Sequence, residues 1–538
     1  MTTITPFAAG SYLTTRNSAQ LTTLKNQLND LSNQVSSGQV SQTYGGLGSG
    51  RSTALAAQAT LSALSGYAAG ITAAQTRTNV AVTSLTQVVT LGTDARNTLN
   101  NSLQSTSLNP TAAKTVALNN LETVFDALNQ SVAGNYLFGG ANTTTPPVLD
   151  ADTILNSVQK SDGSGKAGLL QMINDQITAD SGPGPNKLGW LTVGQPTTPS
   201  TQVTITEPTD NNVRANFGFS LSGAPTSTTS AIQASYQAGT TTAAGSVQLN
   251  VGPSQPAVGD SITLTLKMHD GTSTTVTLTA VSAGTTPAFS GTTFALGLNG
   301  DTESTANNLK SALTSAIAAS TSGPLAASST AEAASNFFTG SANGGPPPGS
   351  GVLPKRIQFD SSGIPSYRSA TALDTVLWYQ GENTYSSPNT PTSALDTQSV
   401  QVSANASIGT GARAIDPAIQ NVLAGLATMA FMPTNDLANP ASTYQTVIDA
   451  ASPLLSSVDG ANGVQDTVTQ LSLASARLSN ASTTNKATQN TMQNTLSDIE
   501  QASPEETIAK LLDVQNRLQA SYQITSSLSK LSLVNYIS

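Results

Sequence analysis

Leu21, Leu24, Leu28, Leu31 and Val35 follow one another at intervals of three and four residues, which lays a single apolar stripe along a helix at the coiled-coil period. Gly38 is expected to close that helix. Leu64, Ala68, Ile71, Gln75, Thr78, Val82, Leu85 and Val89 keep the same alternation, with small or polar residues at three positions. They predict a second helix that is long, narrow and weakly apolar. Asn109-Pro110, a capping residue followed by proline at the first helical position, opens a third through Leu118, Leu121, Phe125, Leu128 and Val132 to Gly134. The far end of the chain repeats the pattern. Val464, Val468, Leu471 and Leu478 keep heptad spacing, as do Met492, Leu496 and Ile499. Ser503-Pro504-Glu505-Glu506 reads as a capping box that starts a last helix. That helix carries Ile508, Leu511, Leu512, Leu518, Tyr522, Leu528 and Leu531 on a broad apolar face almost to Ser538.

Between about 141 and 400 the period changes from helical to two. Val213, Ala215, Phe217, Phe219 and Leu221 alternate, as do Val247, Leu249 and Val251, and both runs predict strands. The clearest hairpin is SITLTLKMHDGTSTTVTLTA. There Ile262, Leu264, Leu266 and Met268 lead into the turn pair Asp270-Gly271, and Val276 and Leu278 lead out. A short helix is expected from about Thr302 with Leu309, Leu313 and Ile317 inward. SGPGP at 181–185 and GGPPPGSG at 344–351 read as linkers. The expected fold class is α+β: a long coiled-coil bundle formed by both termini, carrying β-rich inserts. Its parts are an N-terminal helical region over 1–140, a central β-rich region over 141–400 with a hairpin-plus-helix module near 245–320, and a C-terminal helical region over 401–538.

Composition narrows the function classes. With 538 residues, 9% charged and 4% aromatic, the chain favours polar, small-residue packing and a thin architecture over large globular cores. The net charge of −9 and a pI near 4.6 argue against a nucleic-acid partner, which calls for clustered Lys and Arg. The absence of cysteine removes disulfides and thiolate chemistry. The start, MTTITPFAAGSYLTTRNSAQL, has no basic segment followed by an apolar core, so no cleaved secretory signal is expected. Without an 18-residue apolar run, membrane insertion is not expected either.

Candidate chemistry is sparse. TYGGLGSGRST at 43–53 nearly spells a phosphate-binding loop, but Arg51 stands in place of the lysine, and heptad helices flank it where a buried strand should precede it. A flexible break between helices is the better account. His269, the single histidine, lies beside the hairpin turn and is expected to face solvent. Glu505 and Glu506, and Asp360 with Asp374, are possible acids, although the first two are explained by the positive end of a helix. No catalytic residue, metal ligand or cofactor is expected, and the chain is read as a non-enzyme.

Several segments resemble the bacterial flagellin family, and more closely its hook-filament junction members: LNDLSNQVSSG at 28–38, NYLFGGANTTTPP at 135–147, WYQGEN at 378–383, IGTGARAIDPAIQNVLAGLATMA at 408–430, and LQASYQITSSLSKLSLVNYI at 518–537. The resemblance covers about residues 10–147 and 375–538. YLFGG and the LSLVNY ending favour the junction type, whereas the hairpin-plus-helix module resembles an insert of some alphaproteobacterial flagellins. The resemblance implies a subunit held by an export chaperone and exported unfolded through the flagellar channel, which becomes extracellular. It would assemble with copies of itself and with other flagellar subunits. The helix-pairing residues would be Leu21, Leu24, Leu28, Leu31, Val35, Leu118, Leu121, Phe125, Leu128, Leu511, Leu518, Tyr522, Leu528 and Leu531. Few charges and polar seam positions make the terminal helices marginal alone, so packing with neighbours should order them. A secreted surface adhesin is the alternative from another class; the Thr-rich middle permits it, but it leaves the heptads at both ends without a purpose.

Overall fold

The structure is a computed structural model that describes residues 6–104, 106–159, 165–285, 292–340, 353–382, 394–434, 437 and 439–537, with side chains described except at 6–11, 13–14, 159 and 528–537. It is mixed α and β. Its helices in chain order are α1 (Pro6–Ser37), α2 (Arg51–Ser102), α3 (Pro110–Leu128), α4 (Ala151–Leu155), α5 (Leu169–Ser181), α6 (Asn211–Asn216), α7 (Thr302–Ser320), α8 (Ala326–Phe338), α9 (Pro417–Ala430), α10 (Pro440–Leu455), α11 (Val464–Glu500) and α12 (Pro504–Ile537). The chain divides into two compact units, one of Met1–Ala73, Gln401–Ser407 and Leu478–Ser538, the other of Ala74–Val400 and Ile408–Arg477.

The first unit is made mainly of helices. α1 packs against α12, and their facing ends are tied by the antiparallel bridge Gln39–Gln501 and by the Val40 N–H donating to the Glu500 carbonyl at 2.8 Å. The α2 and α11 segments of this unit also run antiparallel. Gly50 lies against Ile499, where an added Cβ would come within 2.8 Å of a methyl, and further along Asn485 reaches the Leu64 carbonyl. Between α1 and α2, residues Tyr44–Gly50 wind into a 3-10 turn with Leu47 buried and Gly48 at φ +56°. Glycine is suited there because a side chain would strain that conformation. This turn follows a helix and leads straight into α2, so the direction-changing break expected from the sequence is what the structure has.

Among the described residues the second unit has a small cluster of Ala179, Val213 and Phe217 and two large hydrophobic cores. One surrounds α9, whose residues Ala418–Ala430 are almost all buried. A helix apolar on every side must be enclosed, and α3, α8 and α10 enclose it. Caps explain where these helices begin. Asn109 accepts the Ala112 N–H at 3.1 Å ahead of Pro110, and Asn439 accepts the Ser442 N–H at 3.4 Å ahead of Pro440. α3 ends earlier than expected, at Leu128. Val132 belongs instead to the two-residue strand Ser131–Val132, which pairs with Asn135–Tyr136 around Gly134 at φ +78°.

The other core lies between two sheets and α7. A four-stranded antiparallel sheet runs in the order Thr192–Gly194, Gln202–Thr206, Ser246–Val251, Ile232–Gln237. In the five-stranded sheet, Ser261–Lys267 pairs with Ser273–Val281 in the hairpin read from the sequence, with Leu264 opposite Val276. Thr293–Ala295 joins it in parallel, and Ser220–Leu221 and Thr226–Ser227 flank the other side. Leu309, Leu313 and Ile317 of α7 share this core with Val203 and Ile205 of one sheet, Val247 and Leu249 beside them, and Leu264 of the other sheet.

One expectation for the middle is corrected. Val213 and Ala215 do not begin a strand. They lie on α6, because Asp210 accepts the N–H groups of Asn212 and Val213 and so starts a helix turn. The region 141–400 also holds α5 and α8 beside its strands, and Ile173, Phe337 and Trp378 share a core with Leu121, Phe125 and Leu423. The linker at 181–185 follows α5 with Gly182 and Gly184 at positive φ, while the one at 344–351 lies outside the described residues.

Candidate assembly surface

The candidate surface is the α1–α12 pair. On α1, Leu21, Leu24, Leu28 and Leu31 are half-buried and nearly every residue between them is exposed; Val35 is 44% exposed and drops off the stripe, its place taken by half-buried Gln34. On α12 the inward line is Thr507, Leu511, Val514, Leu518, Ser521 and Thr525, again at intervals of four and three, with Thr507 and Val514 buried and the other four half-buried. Half of that line is Thr or Ser, which is why hydrophobic patterning misses Thr507, Ser521 and Thr525; Val514, although apolar, is not among the expected residues. Tyr522 is not in the seam. It is 55% exposed, and Ile508, Leu512 and Ile524 are exposed with it. The single broad face expected on α12 is therefore divided: Leu511 and Leu518 lie in the seam with α1, Ile508, Leu512 and Tyr522 lie on a bare flank, and Ile524 borders the seam on its other side. Leu528 and Leu531 lie outside the residues whose side chains are described.

The start of α12 departs slightly from a full capping box. Ser503 Oγ accepts the Glu506 N–H at 3.4 Å and donates to Glu505 at 3.2 Å, while Glu506 pairs with Lys510 one turn on at 2.6 Å. That pair and Arg517–Asp513 at 2.9 Å are exposed i,i+4 pairs, which solvent screens, so they add little to the helix. Beside them a groove between the helices is lined by Arg16, Gln20 and Leu24 from one side and Arg517, Ser521 and Ile524 from the other.

Leu118, Leu121, Phe125 and Leu128 do not join this surface. They line the face of α3 turned to α9 in the second unit, where Leu121, Phe125 and Leu128 are wholly buried and Leu118 packs at the margin. Their role is internal packing. Three of the segments that carry the family resemblance do converge in that unit. The Ala414 N–H donates to the Phe138 carbonyl at 2.9 Å, the Glu382 N–H to the Gly139 carbonyl at 2.8 Å, and the Ala141 N–H to Glu382 Oε2 at 2.6 Å. Gly140, at φ +65°, lets Glu382 approach, since an added Cβ would meet its Oε2 at 2.8 Å. Trp378, buried, donates its indole N–H to the Phe338 carbonyl at 2.9 Å.

The possible acids have structural roles. Asp360 accepts the N–H groups of Ser362 and Ile364 inside a turn. Burial would raise Asp374, but the Thr371 N–H, the Thr375 hydroxyl and the Arg368 guanidinium outweigh it and hold the carboxyl at about 2. His269 is not solvent-facing as expected: it is half-buried, with Nε2 enclosed and unpartnered. Among the described residues no helix is long and apolar enough to cross a membrane. No family model and no curated protein matches the sequence.

Proposed function

We propose that the chain is a structural subunit of the bacterial flagellum, a member of the flagellin family that sits at the hook-filament junction and is held there by its terminal helices. The observation that carries this reading is the α1–α12 pair. Two helices from opposite ends of the chain meet through a thin seam and leave Ile508, Leu512, Tyr522 and Ile524 in water. A helix pair that buries so little gains little on its own, because helical stability in proteins comes mainly from packing an apolar face. Neighbouring copies supply that packing in an assembled tube. The convergence of YLFGG, WYQGE and GTGARAI on one junction in the second unit supports the resemblance, since segments shared with a family are expected to be kept together by shared contacts. Copies of this chain and other flagellar subunits are the partners, with an export chaperone before assembly, and the destination is extracellular.

A second reading is the filament subunit itself, favoured by the hairpin-plus-helix module at 261–320. Deleting the gene from a flagellated cell separates the two. For a junction subunit, cells keep hooks, lose filaments and shed filament subunits into the medium. For the filament subunit, hooks remain and nothing is shed. Filaments of normal length and number would remove both readings.

A further inference from the structure

A chain of polar side chains crosses the interior of the second unit where α5, α8 and the hairpin Lys355–Phe359/Pro365–Ser369 meet. Asp180, buried at the end of α5, accepts from the Gly218 N–H at 3.0 Å, the Ser329 hydroxyl at 2.7 Å and the Gln176 side-chain amide at 3.0 Å. The Gln176 carbonyl oxygen lies 3.1 Å from the Tyr367 hydroxyl, and that hydroxyl lies 2.9 Å from Glu332 Oε1 on α8. Tyr367 is itself fixed by stacking on Phe217, with ring centroids 4.8 Å apart.

Hydrogen counting makes this chain informative. A phenol has one hydrogen, and here it faces two oxygens that are both acceptors if Glu332 is ionised. One of the two short contacts would then have no hydrogen in it. Turning the Gln176 amide over does not remove the deficit. It lets Tyr367 donate to Glu332, but it sets the amide oxygen against Asp180, which would then need the proton. In either arrangement the chain closes only with one proton shared by two carboxyl groups. Burial raises the Asp180 carboxyl too, and the Ser329 hydroxyl divides its one hydrogen between Asp180 and the Leu325 carbonyl at 2.8 Å. Yet the Gly218 N–H and the Gln176 amide both donate to Asp180, which favours it as the ionised member and puts the proton on Glu332.

We propose that Glu332 is a built-in proton switch: in the folded protein it carries the shared proton and donates it in a hydrogen bond to Tyr367, and on losing that proton it loosens the junction of α5, α8 and the 355–369 hairpin. The surroundings agree. Burial raises the Glu332 carboxyl first, and the negative charges of Asp180 and Asp270 add to this, while the Lys355 ammonium opposes it, leaving the group at about 7. The Tyr367 hydroxyl opposes the rise only when it donates to Glu332, and its one hydrogen is committed to Gln176. Lys355 is occupied in part by the Tyr367 ring, 5.3 Å from its centroid. On the open side Glu332 lines a pocket of about 330 Å³ with Asp270 and with Asp449 of α10, and His269 adjoins Asp270 with Nε2 buried. An ionised Glu332 thus faces three carboxylates and a single lysine among these groups. The sign follows. The folded state holds a proton that the unfolded chain releases in mild acid, so the contribution is complete below the ordinary glutamate value and is lost as pH rises to neutrality.

The direct test is the titration of Glu332 in the full chain. The sequence has eight glutamates, so carbon-13 labelling of the glutamate carboxyls gives few signals, and Glu332→Gln assigns the one that disappears. A carboxyl that titrates near neutrality is the expected result; one that titrates in the ordinary glutamate range overturns the proposal. Urea unfolding supplies an independent reading. Glu332→Gln keeps a donor for Tyr367 and cannot ionise, so its midpoint should match the wild type at pH 4 and exceed it at pH 8. Equal loss at both pH values would mean that Glu332 is only a packing residue. Tyr367→Phe removes the acceptor of the Glu332 proton and should return the Glu332 titration towards the ordinary range by a measurable shift. An unchanged titration in that variant would show that the hydroxyl does not receive the proton.

Discussion

Asn485 on α11 donates its side-chain amide to the backbone carbonyl of Leu64 on α2 at 3.0 Å, while its own oxygen is buried without a partner. The Leu64 carbonyl sits inside a helix, so it does not depend on this bond. A half-satisfied buried amide costs stability but allows only one alignment of the two helices, as a polar residue at a seam position does in coiled coils. Asn485→Leu should therefore raise the urea midpoint, corresponding to about 1 kcal/mol of added unfolding free energy if the unsatisfied oxygen dominates. A lower midpoint would mean that the hydrogen bond outweighs the buried oxygen.

The α1–α12 register can be read with cysteines, which the chain otherwise lacks. Leu24 lines the same groove as Arg517 and Ser521, whereas Thr507 lies next to the start of α12, near where Gln39 pairs with Gln501. A cysteine at Leu24 should form a disulfide with one at Arg517 or Ser521 and not with one at Thr507. Cross-linking to Thr507 alone would contradict the register.

The bare and buried apolar positions should separate cleanly. Ile508→Ala with Leu512→Ala, both on the uncovered face of α12, should leave monomer unfolding within about 0.5 kcal/mol of wild type and reduce assembly, measured by sedimentation of polymer. Leu121→Ala, at a position with no exposure in the α3–α9 contact, should cost about 2 to 5 kcal/mol in the monomer. If the α12 double variant assembles normally, that face is not an assembly contact.

Stability should peak in mild acid. Burial raises Asp416 to about 6 against the pull of Arg413, and with Glu332 at about 7 two carboxyls hold protons in the folded state that the unfolded chain gives up. Stability from both is complete below their unfolded values and falls as pH climbs through about 6 and 7. Asp374, held at about 2, works in the opposite direction: its contribution is present above the ordinary aspartate range and fades as pH drops towards 2. Thermal unfolding across pH 3 to 8 should thus show a maximum between these limbs. A maximum above pH 7 would contradict the assignment of the two raised carboxyls.

What is legible in the sequence is written locally. Asn109-Pro110 begins α3 because the Asn side chain and the proline ring act within one turn, and Asp270-Gly271 sets the hairpin because a tight turn has few solutions. Alternation at 213–221 misleads because Asp210 caps α6 just upstream of it, and a cap that accepts two N–H groups outweighs a weak period-two pattern. α8 is hidden by its Ala and Ser content, which gives no stripe even though Phe337 and Phe338 are fully buried. The leucines of α1 and α12 disclose that the two helices pair, but not which residues of α12 face α1, since Thr507, Ser521 and Thr525 hold seam positions that hydrophobic patterning skips. The contact between Tyr367 and Glu332 joins residues 35 apart through tertiary packing alone, and no local signal encodes it.

Gold-labelled antibody against this chain, imaged on intact flagella, tests the central claim most directly. Label confined to the hook end of the filament is the predicted result. Label along the whole filament would replace the junction with the filament subunit, and flagella that carry no label while the protein is present on the cell or in the medium would contradict a flagellar role altogether.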